Sequence, residues 1–412
     1  MATKQELFVE RQNRMQAAVS LNTPDRVPIA PKMNFFYATA YGIPTYATLS
    51  DVHNIIPGLR QYIREFQPDA VWGPAHYDMH SLEALDCAFM RWPGAKHGLG
   101  LNEPFQILDG EFMFADEYKE FCLDPTNFIL TKWLPRRYRN LAGLSKLNFQ
   151  NLCEMAIFAG VSAFDDPEVR LAIDSLQRAA EHSKNYLAGN AAFYAAAEEE
   201  GVPMAVTLGG TCPFDLLSDN FRGMINCVMD VLQYPDELLE AIDVMTELCL
   251  RTTLNGLIAM GHKYLFIPLH GGVDEFMSPA DYAKFYWPGL KKLMMAGIEA
   301  GLTPYVFCEG NYNTRLEQLC DVPKGKVVYM FEKVDMKRAK ETVGQVACIC
   351  GNLPTATLMY SKPENVADET KRLLDTCAPG GGFIMDTSIV IDRCPKENLH
   401  AMFDTTLTYG KY

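Results

Sequence analysis

The chain has 412 residues, 48% of them hydrophobic and 21% charged, enough to bury one large core or two ordinary ones. Its formal net charge of −14 argues against a nucleic-acid or anionic-membrane partner, since both need a basic surface. No apolar stretch reaches the roughly 18 to 20 residues of a bilayer span, and the charged N-terminus lacks the apolar core of a secretory signal, so no membrane association and a cytoplasmic location are expected.

In chain order, a helix is predicted over Lys4–Ser20, stopped by Pro24, Pro28 and Pro31, with a short strand at Arg26–Ala30. Short apolar runs rich in β-branched residues follow: "DAVWG" near 69, "PMAVTLGG" near 203, "KYLFIPLHGG" near 263, "TPYVFCEG" near 303, "KVVYMFE" near 326, "QVACICGN" near 345 and "GGFIMD" near 381. Helical patterns lie between them, among them "SPADYAKFYWPGLKKLMMAGIEAG", which opens on a Ser cap followed by Pro. Alternating strands and helices predict an α/β fold, a (β/α)8 TIM barrel with an N-terminal helix, over 1–412 as one unit. The alternative, an open doubly wound sheet, usually carries a Gly-rich phosphate loop after its first strand, and none follows Arg26–Ala30. Asp86–Asp165, rich in Phe, Trp, Pro and Gly, interrupts the alternation after the second strand and is expected to form an insertion near the barrel mouth; a separate small domain is the other reading.

Barrel enzymes place their chemistry at the C-terminal ends of strands. Cys308 with Glu309, the pair Cys348 and Cys350, His270 and Asp386 each close a predicted strand, and His76, Asp78 and His80 follow the second. Cys153, Cys227, Cys249, Cys320 and Cys377 fall in helical segments and are expected to be core thiols. Side chains alternate along a strand, so Cys348 and Cys350 share a face. With their strand taken as neighbour to that of Cys308, and facing the same way, two thiolates plus His270 or a carboxylate would bind zinc with one position open. Spacing alone leaves two other readings: small thiols filling the interior, or Cys308 as a nucleophile with His270 as its base.

Several stretches in order, "PDRVPIAP", "GGVDEFMSPADYAKFYWPGLKKLMMAGIEAG" leading into "VFCEGN", "CGNLPTATL" and "GGFIMD…CPKENL", resemble the uroporphyrinogen decarboxylase superfamily. The resemblance covers most of the chain outside the insertion and implies a (β/α)8 barrel. The superfamily's decarboxylases carry "MRQAGRY" after the first strand, whose arginines hold carboxylates; here "KMNFFYATAYG" has no arginine, which speaks against a porphyrinogen substrate. Its coenzyme M methyltransferases bind zinc through His-x-Cys-Gly-Asn and a later Cys. Cys308 matches the first Cys, but Val306 replaces the His, no Cys follows Gly381-Gly382 where one is expected, and Cys394 comes too late.

The partial motif, together with the aromatic insertion, resembles the branch that cleaves aromatic methyl ethers, the first methyltransferase component of anaerobic O-demethylases. The resemblance implies a methyltransferase that passes a methyl group from a small aromatic methyl ether to the Co(I) corrinoid of a separate carrier protein. It also implies zinc on Cys308, with Cys348 or Cys350 and His270 completing the set. Phe35, Phe36, Tyr37 and Trp72 are expected to wall the substrate pocket, and His76, His80 or Glu309 to donate a proton to the leaving oxygen. The alternatives are another methyl donor or coenzyme M as acceptor, a carboxy-lyase acting on a smaller substrate, and a barrel that only binds a small aromatic.

Overall fold

The computed structural model describes residues 2–74, 77–94, 96–153, 157–206, 209–259 and 262–412. The first helix runs Lys4–Val19 and is fixed by a capping box in which Thr3 and Glu6 satisfy each other's backbone donors. Among the described residues nine strands follow: β1 (Val71–Trp72), β2 (Met90–Arg91), β3 (Gln106–Ile107), β4 (Met204–Val206), β5 (Tyr264–Leu269), β6 (Thr303–Asn311), β7 (Val328–Lys333), β8 (Cys348–Cys350) and β9 (Phe383–Ile384). Strands β5 to β9 form one parallel sheet in sequence order, β1 and β4 a parallel pair, and β2 and β3 an antiparallel pair. Helices lie between the parallel strands, making the fold α/β.

The predicted strand at Arg26–Ala30 is reduced to isolated bridges, Ile29 with Met385 and Arg26 with Lys411, because the neighbouring prolines remove ladder donors. It still links the two parallel sets. Met385 N–H donates to Pro28 O at 2.8 Å, and Asp69 N–H, just before β1, to Ile29 O at 2.9 Å. On the other side of the pair, Gly210 N–H donates to Phe266 O of β5 at 2.7 Å. The parallel segments therefore follow one another in a cyclic order, although the ladders do not form one continuous sheet.

Alternation along the strands sorts their side chains into two clusters. The inner one joins Trp72, Val206, Tyr305, Phe307, Val328, Met330, Cys348, Cys350 and Ile384. The outer one sets Ile267, Leu269, Val306, Cys308, Tyr329 and Phe331 against the helices.

The segment from 86 to 165 holds the β2–β3 hairpin and a series of short helical turns. It is tied to the stretch after β4: Phe112 and Met113 N–H both donate to Phe221 O, at 2.7 and 2.8 Å, and the Trp133 ring stacks on Phe221 at 5.1 Å. The helix Pro167–Glu199, capped by Asp166, then returns the chain to β4.

Candidate active site

β5 ends in "LHGG", and the two glycines are required by close packing. A Cβ on Gly271 would lie 2.7 Å from the Phe214 ring, and one on Gly272 would lie 2.9 Å from Tyr282 and Tyr286. The turn is held by Asp215, in the helix Pro213–Leu217, whose buried carboxylate accepts His270 N–H at 3.0 Å, Gly271 N–H at 2.8 Å and the Tyr286 hydroxyl at 2.5 Å. Burial raises the Asp215 pKa, opposed by the positive charge of His270.

This clamp fixes the His270 ring between two further carboxylates. Nδ1 lies 2.6 Å from Asp219 and Nε2 lies 3.5 Å from Glu309, the residue after Cys308. Desolvation works against the cation, but the hydrogen bonds with Asp219 and Glu309 and the charge of Asp215 outweigh it and push the His270 pKa up to about 11. His270 is therefore an imidazolium at neutral pH. It lines a cleft of about 550 Å³ at the C-terminal ends of the strands, with Met224, Val273, Phe276, Glu309 and Glu332. A cavity of about 310 Å³ lies at the opposite ends, by Ala70, Met204 and Tyr264.

Phe105, from the insertion, meets Phe35 at 6.0 Å and Tyr77 at 5.0 Å, both edge-on. Burial lifts the Tyr77 phenol pKa and the charge of Arg137 counters it.

Several expected site residues sit elsewhere. Phe36 and Tyr37 are fully buried in the outer core, where both rings pack on Tyr62 and Tyr37 also meets Phe193, because the short helix Phe36–Thr39 turns them away from the inner face. Trp72 belongs to the inner cluster, and its indole N–H donates to Ala30 O at 3.1 Å. His80 stands on the helix Met79–Leu85, against Glu83 at 3.4 Å and the His182 ring at 5.4 Å. His76 lies outside the described residues, as does the side chain of Cys153. Cys227, Cys249 and Cys377 are buried thiols, and Cys320 is partly buried.

The expected zinc ligands are not brought together. Strand β7 separates β6 from β8, and Cys308 faces the helices whereas Cys348 and Cys350 face inward. The expectation of a shared facing fails because alternation sets phase within a strand and leaves the phase between strands open. Burial raises the pKa of the Cys308 and Cys350 thiols well above their usual value and that of Cys348 to about 12. Both nitrogens of His270 already face carboxylates. Among the described residues no three His, Cys, Asp or Glu side chains are grouped to hold a metal ion. These residues do not fit the expected site.

A direct prediction follows for Cys308→Ala. It should leave activity unchanged and lose only about 1 kcal/mol of stability, as for a small truncation in a packed core. Loss of activity with an intact circular-dichroism spectrum would restore Cys308 to the site.

The residues missed in the sequence were Asp215 and Asp219. Their signal was present: two carboxylates four apart in "CPFDLLSDN", directly after a strand, spaced to share one side of a helical turn.

The parallel strands with intervening helices and a charged cluster at their C-terminal ends define an α/β protein built as enzymes of this class are. The chain belongs to the uroporphyrinogen decarboxylase family, whose model, described as uroporphyrinogen decarboxylase (URO-D), matches residues 164–409. A methylcobamide:CoM methyltransferase, MtbA, of Methanosarcina acetivorans is 29% identical over 136 residues, which is 33% of this chain and 39% of that relative. The match thus spans well under half of the curated relative's length. Among solved structures, a methyltransferase from Methanosarcina mazei superposes with a TM-score of 0.61 over 97% of this chain and 98% of its own, at 16% identity, a likeness of fold.

Proposed function

We propose that this chain is a corrinoid-dependent methyltransferase on a (β/α)8 barrel, and that it takes its methyl group from a small aromatic methyl ether. Family membership and the cobamide-linked relative support the class, and the cyclic strand order supports the barrel. The carrier's Co(I) corrinoid supplies the nucleophile and accepts the methyl group.

One observation carries the chemistry on this chain: the His270 ring held between Asp219 and Glu309 at the strand ends, where both carboxylates favour its charged form. When the methyl carbon–oxygen bond breaks, its electron pair stays on the aryl oxygen, and an unassisted phenolate leaves poorly. His270 supplies a proton to that oxygen from Nε2, Asp219 holds the ring by Nδ1, and Glu309 is placed to return a proton from solvent. The products are a phenol and the methylated carrier. Phe276, in the lining of the cleft beside His270, offers a ring to an arene.

The carboxylates Glu309, Glu332 and Glu275 around the cleft favour a methylammonium donor as the second reading. Incubation with a reduced corrinoid carrier and separate panels of methoxyarenes, methylamines and methanol decides between them by the carrier's absorbance spectrum. Turnover with methoxyarenes alone is expected; turnover with methylamines alone would overturn the ether reading.

A further inference from the structure

The cavity of about 310 Å³ at the N-terminal ends of the strands takes no part in the chemistry proposed above. Its roof is the first helix, whose Phe8, Gln12 and Met15 are spaced to share one side and line it. Its floor is the start of the strands, at Ala70, Met204 and Tyr264, and one wall is the end of the helix Pro167–Glu199. Polar contacts tie roof to wall: Arg11 donates to Gly201 O at 2.8 Å and Lys4 to Glu200 at 3.0 Å. The space is therefore preformed, and its volume lies at the lower end of the range of about 300 to 1,000 Å³ found for small-molecule sites.

Two charges of opposite sign line it. Of the three consecutive glutamates at the end of that helix, Glu199 pairs with Arg60 and Glu200 with Lys4, Arg60 and Arg64. Glu198 lines the cavity instead and has no ion-pair partner among the described residues. Lys263, directly before β5, lines it too and is likewise unpaired among the described residues. Both are exposed, so they stand where the cavity meets solvent, and a ligand entering from outside meets them first. An apolar interior with one carboxylate and one ammonium at its mouth is complementary to a molecule that carries both charges at one end of an apolar body.

We propose that this cavity is a second ligand site, which takes a small zwitterion with an apolar body, the class of the α-amino acids with apolar side chains. The ligand's ammonium meets Glu198, its carboxylate meets Lys263, and its side chain enters between Phe8, Met15 and Met204. The proposal is independent of the methyl donor that the cleft takes.

Calorimetric titration of the full chain with phenylalanine, phenethylamine and phenylpropanoate tests it. Phenylalanine should bind about fivefold more tightly than either singly charged analogue, the upper scale of an ion pair open to solvent. Glu198→Gln should remove its advantage over phenylpropanoate, and Lys263→Met its advantage over phenethylamine. Both residues lie at the surface, so the fold tolerates either change. Gln12→Trp, which sets a ring into the space from the half-buried side of the first helix, should abolish phenylalanine binding with the far-ultraviolet circular dichroism unchanged. Three results would each overturn the proposal: no binding of phenylalanine by the unaltered chain, equal affinity for the three compounds, or preferences that persist in both charge variants. Binding that survives in a folded Gln12→Trp would place the ligand elsewhere and overturn it as well.

Discussion

On the proposed function, His270→Gln is expected to slow methyl transfer to the carrier by about two to four orders of magnitude, the usual contribution of a positioned acid, with the far-ultraviolet circular dichroism unchanged. Gln keeps a donor of similar reach but has no proton to give. Because the pKa is pushed up to about 11, the unaltered chain should hold its rate through neutral pH and lose it only as that value is approached. Asp219→Asn weakens the contact that raises it, so the falling limb should move to lower pH while the substrate Michaelis constant stays nearly constant. The linkage has a definite sign. The folded-state pKa lies above the ordinary 6.5, so the stabilisation from a charged His270 is fully present below about 6.5 and is lost as pH rises through about 11. Urea unfolding of the unaltered chain and of His270→Gln should therefore differ most below about pH 6.5 and converge in alkali. Full activity in His270→Gln would remove it from the mechanism.

The second large effect concerns stability at the opposite ends of the strands. Asp69 is fully buried and accepts from Arg14 at 2.7 Å, from Arg26 twice at 2.6 and 2.8 Å, and from Ile29 N–H at 2.8 Å. It thereby joins the first helix, the proline-rich segment and the start of β1. Asp69→Ala leaves buried guanidinium donors without this partner, and removing one member of such a network costs about 3 to 5 kcal/mol. Arg14 keeps Asp25 at 2.7 Å and Glu10 at 2.6 Å, which places the expected loss near the lower end. The midpoint of denaturant unfolding should fall accordingly, and the protein that remains folded should transfer methyl groups normally. A loss below about 1 kcal/mol would show the network to be worth no more than a surface ion pair.

Much of the fold was legible in the sequence because its signals are local. Seven apolar runs coincide with β1 and β4 to β9, and the first helix ends one residue from its predicted limit, since strand alternation, helix caps and prolines act over a few residues. The strand at Arg26–Ala30 was overstated for an equally local reason: prolines supply no ladder donors, and the segment is held by scattered bridges.

The site was only half legible. That His270, Glu309 and Asp386 close strands follows from the sequence, and so does the family resemblance carried by "VFCEGN" and "CGNLPTATL". Three things did not follow. Cys308 and Cys350 look equivalent in those motifs, yet they face opposite sides of the sheet, because a residue's face depends on strand phase and register, which are set by packing between distant segments. Phe36 and Tyr37 look like a pocket wall, yet a single helical turn rotates them into the outer core. His270 offers two ring nitrogens to any partner, and only the tertiary approach of Asp219 from the segment after β4 and Glu309 from β6 sets a carboxylate against each. Sequence determined which residues reach the ends of the strands; tertiary structure decided which of them meet, because charge and hydrogen bonding act over a few ångströms between groups that lie tens of residues apart in the chain.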